Sequence, residues 1–142
     1  MLLRRPKILT PIRAINTNSL QFMILTMKNG EKLVVTSDSF HGIINIESKY
    51  NCLLCRTEFY LDDECKANHK KLETHARQLL LHPHREDFGE NLIRQLNNET
   101  CYCTICNVAV QTHTLMRHLS AGVHGAELMK AKNRALTYKP LE

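Results

Sequence analysis

Tryptophan is missing from this chain, and only four phenylalanines and four tyrosines stand among its 142 residues. So few large aromatic side chains leave little to anchor one extensive core. Segments of about 30–40 residues rarely bury enough apolar surface to fold unaided. Long apolar runs are missing too, since none approaches the ~18–20 residues of a membrane span. The apolar patch at 22–27 is short and lacks a small-residue cleavage site, so it does not read as a signal peptide. Catalytic signatures are equally scarce. There is no His-Glu-x-x-His, no His-x-Glu joined to Pro-Cys-x-x-Cys, and no glycine-rich phosphate loop. Neither an enzyme nor a small-molecule substrate is expected.

Acids are absent from residues 1–30, which carry Arg4, Arg5, Lys7, Arg13 and Lys28. Residues 31–100 reverse the balance, with nine Lys/Arg against twelve Asp/Glu. Residues 101–142 return to five basic against two acidic residues. Attraction to phosphate therefore belongs to the two ends and not to the middle. Residues 1–18 contain Pro6 and Pro11 and no helical period. They make a poor transit peptide and read as a flexible basic arm.

What the chain does have is cysteine and histidine in register. Cys52 and Cys55 are followed by His69 and His75, and Cys103 and Cys106 by His118 and His124. A Cys-x-x-Cys turn delivers two thiolates from one tight knuckle, and two histidines complete a tetrahedral N/S site of the kind zinc prefers. The two knuckles lie 51 positions apart, a repeat-length period. Two structural Zn²⁺ ions are thus expected, which favours a reducing compartment, the nucleus or the cytoplasm. A thioredoxin-like reading of Cys-x-x-Cys would need a βαβ context and would leave the histidines unexplained.

Histidines six apart point about 240° apart around a straight helix, so they cannot reach one ion unless the helix is distorted between them. Ser120-Ala121-Gly122 offers small side chains and a glycine at that place. The corresponding Lys70–Thr74 spacer has no glycine, and Cys65, His82 and His84 remain open as alternative ligands of the first site. Cys65 and Cys101 otherwise read as free thiols. His113 lies too close to Cys106 and reads as a surface residue.

The fold class is small α+β: two zinc-nucleated ββα fingers, an N-terminal β-hairpin and a helical linker. The arm spans 1–18 and a hairpin or small sheet spans 19–49, the latter because Asn29-Gly30 sits between apolar runs. The first finger covers 50–82, with Asp62 or Asp63 as helix cap, Phe59 as core aromatic, and Leu72 and Leu79 on one helix face. An amphipathic helical linker covers 83–100, with Phe88, Leu92, Ile93 and Leu96 on one side. The second finger and a basic helical tail cover 101–136, with Val108, Val110, Leu115 and Leu119 as its core; a tail of 137–142 follows.

The segment YCTICNVAVQTHTLMRHLSAGVHGAELMKAK resembles the matrin-type zinc fingers, a group with five residues between the histidines. Tyr102, the Asn after Cys106, the pair His118-Leu119 and the small residues before His124 carry the likeness over about thirty residues. It departs at Gly122, one place later than is common, and at Val123, where the family often has Lys. The resemblance implies a ββα finger whose usual partner is RNA, often structured or double-stranded. On that reading Arg117, Lys130, Lys132 and Arg134 contact phosphates; otherwise they form a solvated helix face. The other reading is a protein-interaction adaptor, docking through the acidic first finger and linker helix or a hairpin edge. The linker stripe has a plainer use as packing between the two fingers.

Overall fold

The computed structural model describes residues 21–137; the basic arm at 1–18 and residues 138–142 lie outside them. The Asn-Gly signal yields its hairpin. β1 (Phe22–Thr26) pairs antiparallel with β2 (Lys32–Thr36). Gly30 N donates to Met27 O at 2.9 Å, and Gly30 alone of the two turn residues takes positive φ, at 90°. Asn29 helps differently: its Oδ1 accepts from Glu31 N at 2.9 Å.

A short helix without a counterpart in the sequence reading, α1 (Ser37–His41), follows at once. Thr36 Oγ1 caps it by accepting from Ser39 N at 3.1 Å, and Gly42 ends it at φ 72°. Two units of one build come next. β3 (Ile43–Ile46), β4 (Lys49–Cys52) and β5 (Thr57–Tyr60) form an antiparallel sheet followed by α2 (Asp63–Lys70) and α3 (Glu73–Leu81). β6 (Ile93–Gln95), β7 (Thr100–Cys103) and β8 (Val108–Gln111) repeat it, followed by α4 (Leu115–Ser120) and α5 (Gly122–Thr137). In each sheet a buried isoleucine sits opposite the first cysteine: Ile43 opposite Cys52, and Ile93 opposite Cys103. The run at 43–46 thus extends the first finger's own hairpin and does not join β1 and β2.

The linker departs from expectation. Residues 83–100 hold no α-helix. Glu86–Asn91 is a 3-10 segment broken at Gly89 (φ 51°, ψ −123°), Leu92 is left-handed at φ 52°, and Ile93 opens a strand. The apolar residues are nonetheless used, as packing. Leu92 and Ile93 are buried in a cluster with Met23, Leu33, Leu115 and Ala131, while Leu96 packs beside Ile43, Cys52 and Leu54. Strand pairing with β7 satisfies the backbone of Ile93–Gln95 and overrides the helical spacing. The single helix face expected to carry Leu72 and Leu79 is interrupted between two helices, and Leu72 at the break is 48% exposed while Leu79 packs inward. Val108 is also more exposed than expected, whereas Val110, Leu115 and Leu119 join the core.

The units are not independent beads. Met23, Leu25, Leu33 and Val35 of the hairpin share one apolar cluster with Ile93 and Ala131 of the second unit. Tyr102 Oη donates to Ser39 O of α1 at 2.9 Å, fastening the second sheet to the element that leads into the first. Among the described residues no helix is long and apolar enough to cross a membrane.

Candidate metal centres

Each knuckle is shaped by a hydrogen bond and one left-handed residue. Arg56 (φ 58°) donates its N–H to Cys52 O at 2.8 Å, and Asn107 (φ 57°) donates to Cys103 O at 2.8 Å. The turn brings the paired thiols together, and Cys55 N donates to Cys52 Sγ at 3.4 Å. Asp62, the first of the two candidate caps, starts α2 by accepting from Glu64 N.

The histidine problem is solved in the same way twice. α2 carries His69 and α3 carries His75, separated by one extended residue, Leu72 (φ −67°, ψ 140°). α4 carries His118 and α5 carries His124, separated by Ala121 (φ −75°, ψ 146°). Leu72 N still donates to His69 O at 3.1 Å, and Ala121 N to His118 O at 3.0 Å, so each chain turns immediately after a closed helical turn. Three residues beyond the first histidine, a single extended residue rotates the second toward the knuckle. Any residue adopts those angles, and this is why the first finger needs no glycine.

The donors converge. In each quartet, Cys52/Cys55/His69/His75 and Cys103/Cys106/His118/His124, the ligand atoms all lie within 4.8 Å of one another, and each set could hold a metal ion. His75 Nδ1 lies 3.6 Å from Cys52 Sγ and 3.4 Å from Cys55 Sγ. His124 Nδ1 lies 3.6 Å from Cys103 Sγ and 3.5 Å from Cys106 Sγ. A tetrahedral zinc with ordinary bond lengths sets its S and N ligands about 3.5 Å apart, so this spacing fits. His69 Nε2 and His118 Nε2 are buried without a protein partner, an expensive arrangement that a bound cation would satisfy. The donor sets are closed at four.

Electrostatics point the same way. Burial pushes the Cys55 thiol up to about 12, helped by the neighbouring Cys52, and burial pushes Cys103 up to about 12. Cys52 and Cys106 are raised too, again chiefly by burial. Burial takes His75 down to about 4, with His69, Arg94 and Lys70 adding repulsion, and lowers His69, His118 and His124. The histidines are therefore neutral, ready donors at physiological pH, while the thiols need a cation beside them to ionise.

The competing candidates stand apart from both quartets. His82 Nδ1 meets Gln95 O at 3.1 Å, His84 Nε2 meets Thr104 Oγ1 at 2.8 Å, and Cys101 Sγ meets Gln95 Oε1 at 3.3 Å. Cys65 is a free thiol outside the first site, and His113 is exposed. Phe59 does stand beside the metal donors, stacked on His69 with ring centroids 4.8 Å apart.

The four cations proposed for phosphate contact fare unequally. Lys132 lies between Glu90 (2.8 Å) and Glu31 (3.6 Å). Arg134 donates to Val34 O at 2.9 Å and lies over the Phe22 ring. Lys130 makes an exposed pair with Glu127, and Arg117 is exposed on α4 beside the ligand His118. Two residues beside the donors have no sequence signal of their own. His41 Nδ1 is 2.8 Å from His75 Nε2, and Asn91 Oδ1 is 2.8 Å from His124 Nε2.

Comparison with protein-family models, curated proteins and solved structures finds no match to this chain. Two Cys₂His₂-like clusters fit zinc fingers; the matrin-type likeness rests on the residues that carry it.

Proposed function

We propose that each centre holds a structural zinc ion and that the chain is a recognition module, not an enzyme. Closure of both sites by four buried or half-buried donors supports this reading, because catalytic zinc needs an open position for water or substrate. Zinc, when bound, supplies the folding energy that two short finger units lack. Six unpaired cysteines among the described residues suit a reducing compartment, and we place the protein in the nucleus or the cytoplasm.

For the target we propose nucleic acid, RNA in particular, contacted through the second finger. The observation that carries this is Arg117, exposed on the ligand-bearing helix α4. Lys130, whose exposed pair with Glu127 yields readily to phosphate, stands on the following helix. We assign the contact to these two before Lys132 and Arg134, which already face Glu90, Glu31 and the Val34 carbonyl. Two phosphate contacts give a log–log salt dependence of about −1.4 to −1.8. Titration of structured RNA, duplex DNA and single strands over a salt series tests this. Binding that weakens with that slope, and is lost in the double variant Arg117→Ala/Lys130→Ala, supports the reading; no binding at low salt overturns it.

The adaptor reading keeps one observation in its favour. Met116, Val123, Met129 and Leu136 on α4 and α5 are 55–81% exposed, and Met129 and Leu136, seven apart, share a helix face. The linker residues Leu92 and Ile93 are buried and offer no such surface.

A further inference from the structure

The two centres share a feature beyond their four donors. Fifty positions apart, His41 and Asn91 each precede a left-handed residue, Gly42 at φ 72° and Leu92 at φ 52°. The carbonyl of that left-handed residue accepts from the residue after the first cysteine: Leu53 N to Gly42 O at 2.9 Å, Thr104 N to Leu92 O at 3.0 Å. The first thiol faces the backbone oxygen of the preceding residue, Cys52 Sγ at 3.7 Å from His41 O and Cys103 Sγ at 4.0 Å from Asn91 O. The side chains then meet the second histidine at the same distance, 2.8 Å, and at the same ring atom, Nε2. One backbone conformation and three contacts recur around two residues of different type.

Their chemistry explains the interchange. Histidine Nδ1 and asparagine Oδ1 stand the same number of bonds from the backbone, and both can accept a hydrogen bond. In the second unit the roles are fixed, because Asn91 Nδ2 donates to Phe88 O at 3.0 Å and leaves Oδ1 for His124. An amide oxygen can only accept, so His124 Nε2 carries the proton and Nδ1, the atom facing both sulfurs, carries the lone pair.

We propose that His41 and Asn91 are positioning residues of the two metal centres, each holding the second histidine in the Nε2–H tautomer that offers Nδ1 to the ion. This rests on the metal reading. It also lengthens the metal-binding unit: each begins about a dozen residues before its first cysteine, in the turn that enters β3 or β6, and not at the knuckle. Partners of this kind are worth about 10–100-fold in metal affinity.

The test uses the full-length chain loaded with zinc, with site-resolved affinity from competition against a chelator followed by NMR of each histidine. Asn91→Ala weakens the second site about 10–100-fold and leaves the first within about twofold. His41→Ala does the reverse, and His41→Asn, which restores an acceptor at the same reach, recovers most of the loss. Long-range ¹⁵N–¹H spectra of the unaltered protein supply a readout that needs no variant: His75 and His124 are protonated at Nε2 and metal-bound through Nδ1. The opposite tautomer, or Ala variants that leave both sites unchanged, or weaken both equally, overturns the positioning role. An unaltered protein that takes up no zinc overturns the metal reading itself, a separate result.

Discussion

Arg94 Nη2 donates to the backbone oxygen of Phe40 at 2.8 Å, and its guanidinium lies over the Phe40 ring, 4.9 Å from the centroid. Nη1 of the same side chain donates to His82 O at 2.7 Å. Arg94 belongs to β6 of the second unit, Phe40 precedes the first unit, and His82 ends the helix that carries His75. One buried cation therefore clamps both flanks of the first finger from the second. Arg94→Ala removes two charge-assisted hydrogen bonds and leaves two carbonyls facing a cavity, a loss of about 3–5 kcal/mol. Chemical denaturation of the zinc-loaded protein measures it; a change below about 1 kcal/mol would show that the clamp contributes nothing.

Gly122 is dispensable, against the expectation that it supplies the bend. The bend lies at Ala121 in ordinary extended geometry, while Gly122 opens α5 and an added Cβ would meet nothing within 4 Å. Gly122→Ala keeps zinc at the second site and raises stability by about 0.5–1 kcal/mol. Thermal melting with a zinc count checks it, and loss of zinc would return the bend to the glycine.

Arg134 acts on the fold and Arg117 does not. Arg134 ties α5 to the hairpin through Val34 O and the Phe22 ring, so Arg134→Ala costs about 1–3 kcal/mol. Arg117→Ala leaves the melting temperature where it was. Equal effects on stability would contradict the division of these cations between structure and surface.

Asp38 gives a pH dependence of known sign. Burial alone would raise its pKa, but hydrogen bonds and attraction from Lys70 and Lys66, each 2.9 Å away, outweigh burial and hold it below 3.8. A carboxyl lowered on folding stabilises fully above its unfolded value and loses that contribution as pH falls through the folded one. The stability gap between the parent protein and Asp38→Asn is therefore constant above about pH 5 and narrows below about pH 4. A gap that widens in acid would refute the assignment.

Much of this was legible because it depends on local chemistry. Asn29-Gly30 marks a turn, Asp62 marks a helix start, and both Cys/His quartets are spelled out by spacing. The linker was not legible. Phe88, Leu92, Ile93 and Leu96 carry a helical spacing, yet pairing of Ile93 with Cys103, a partner ten residues on, decides the backbone. The same holds for β3, whose partner is set by the register of Ile43 with Cys52. His41 and Asn91 carry no signal in the sequence because equivalence of Nδ1 and Oδ1 is a matter of shape, which no residue code records.

Native mass spectrometry of the full chain, paired with amide NMR before and after a strong chelator, tests the central claim most directly. The account predicts two zinc ions per chain, one in His118→Ala, and loss of amide dispersion from both units once the metal is stripped. A chain that keeps its dispersion and its circular dichroism with no metal bound would contradict it.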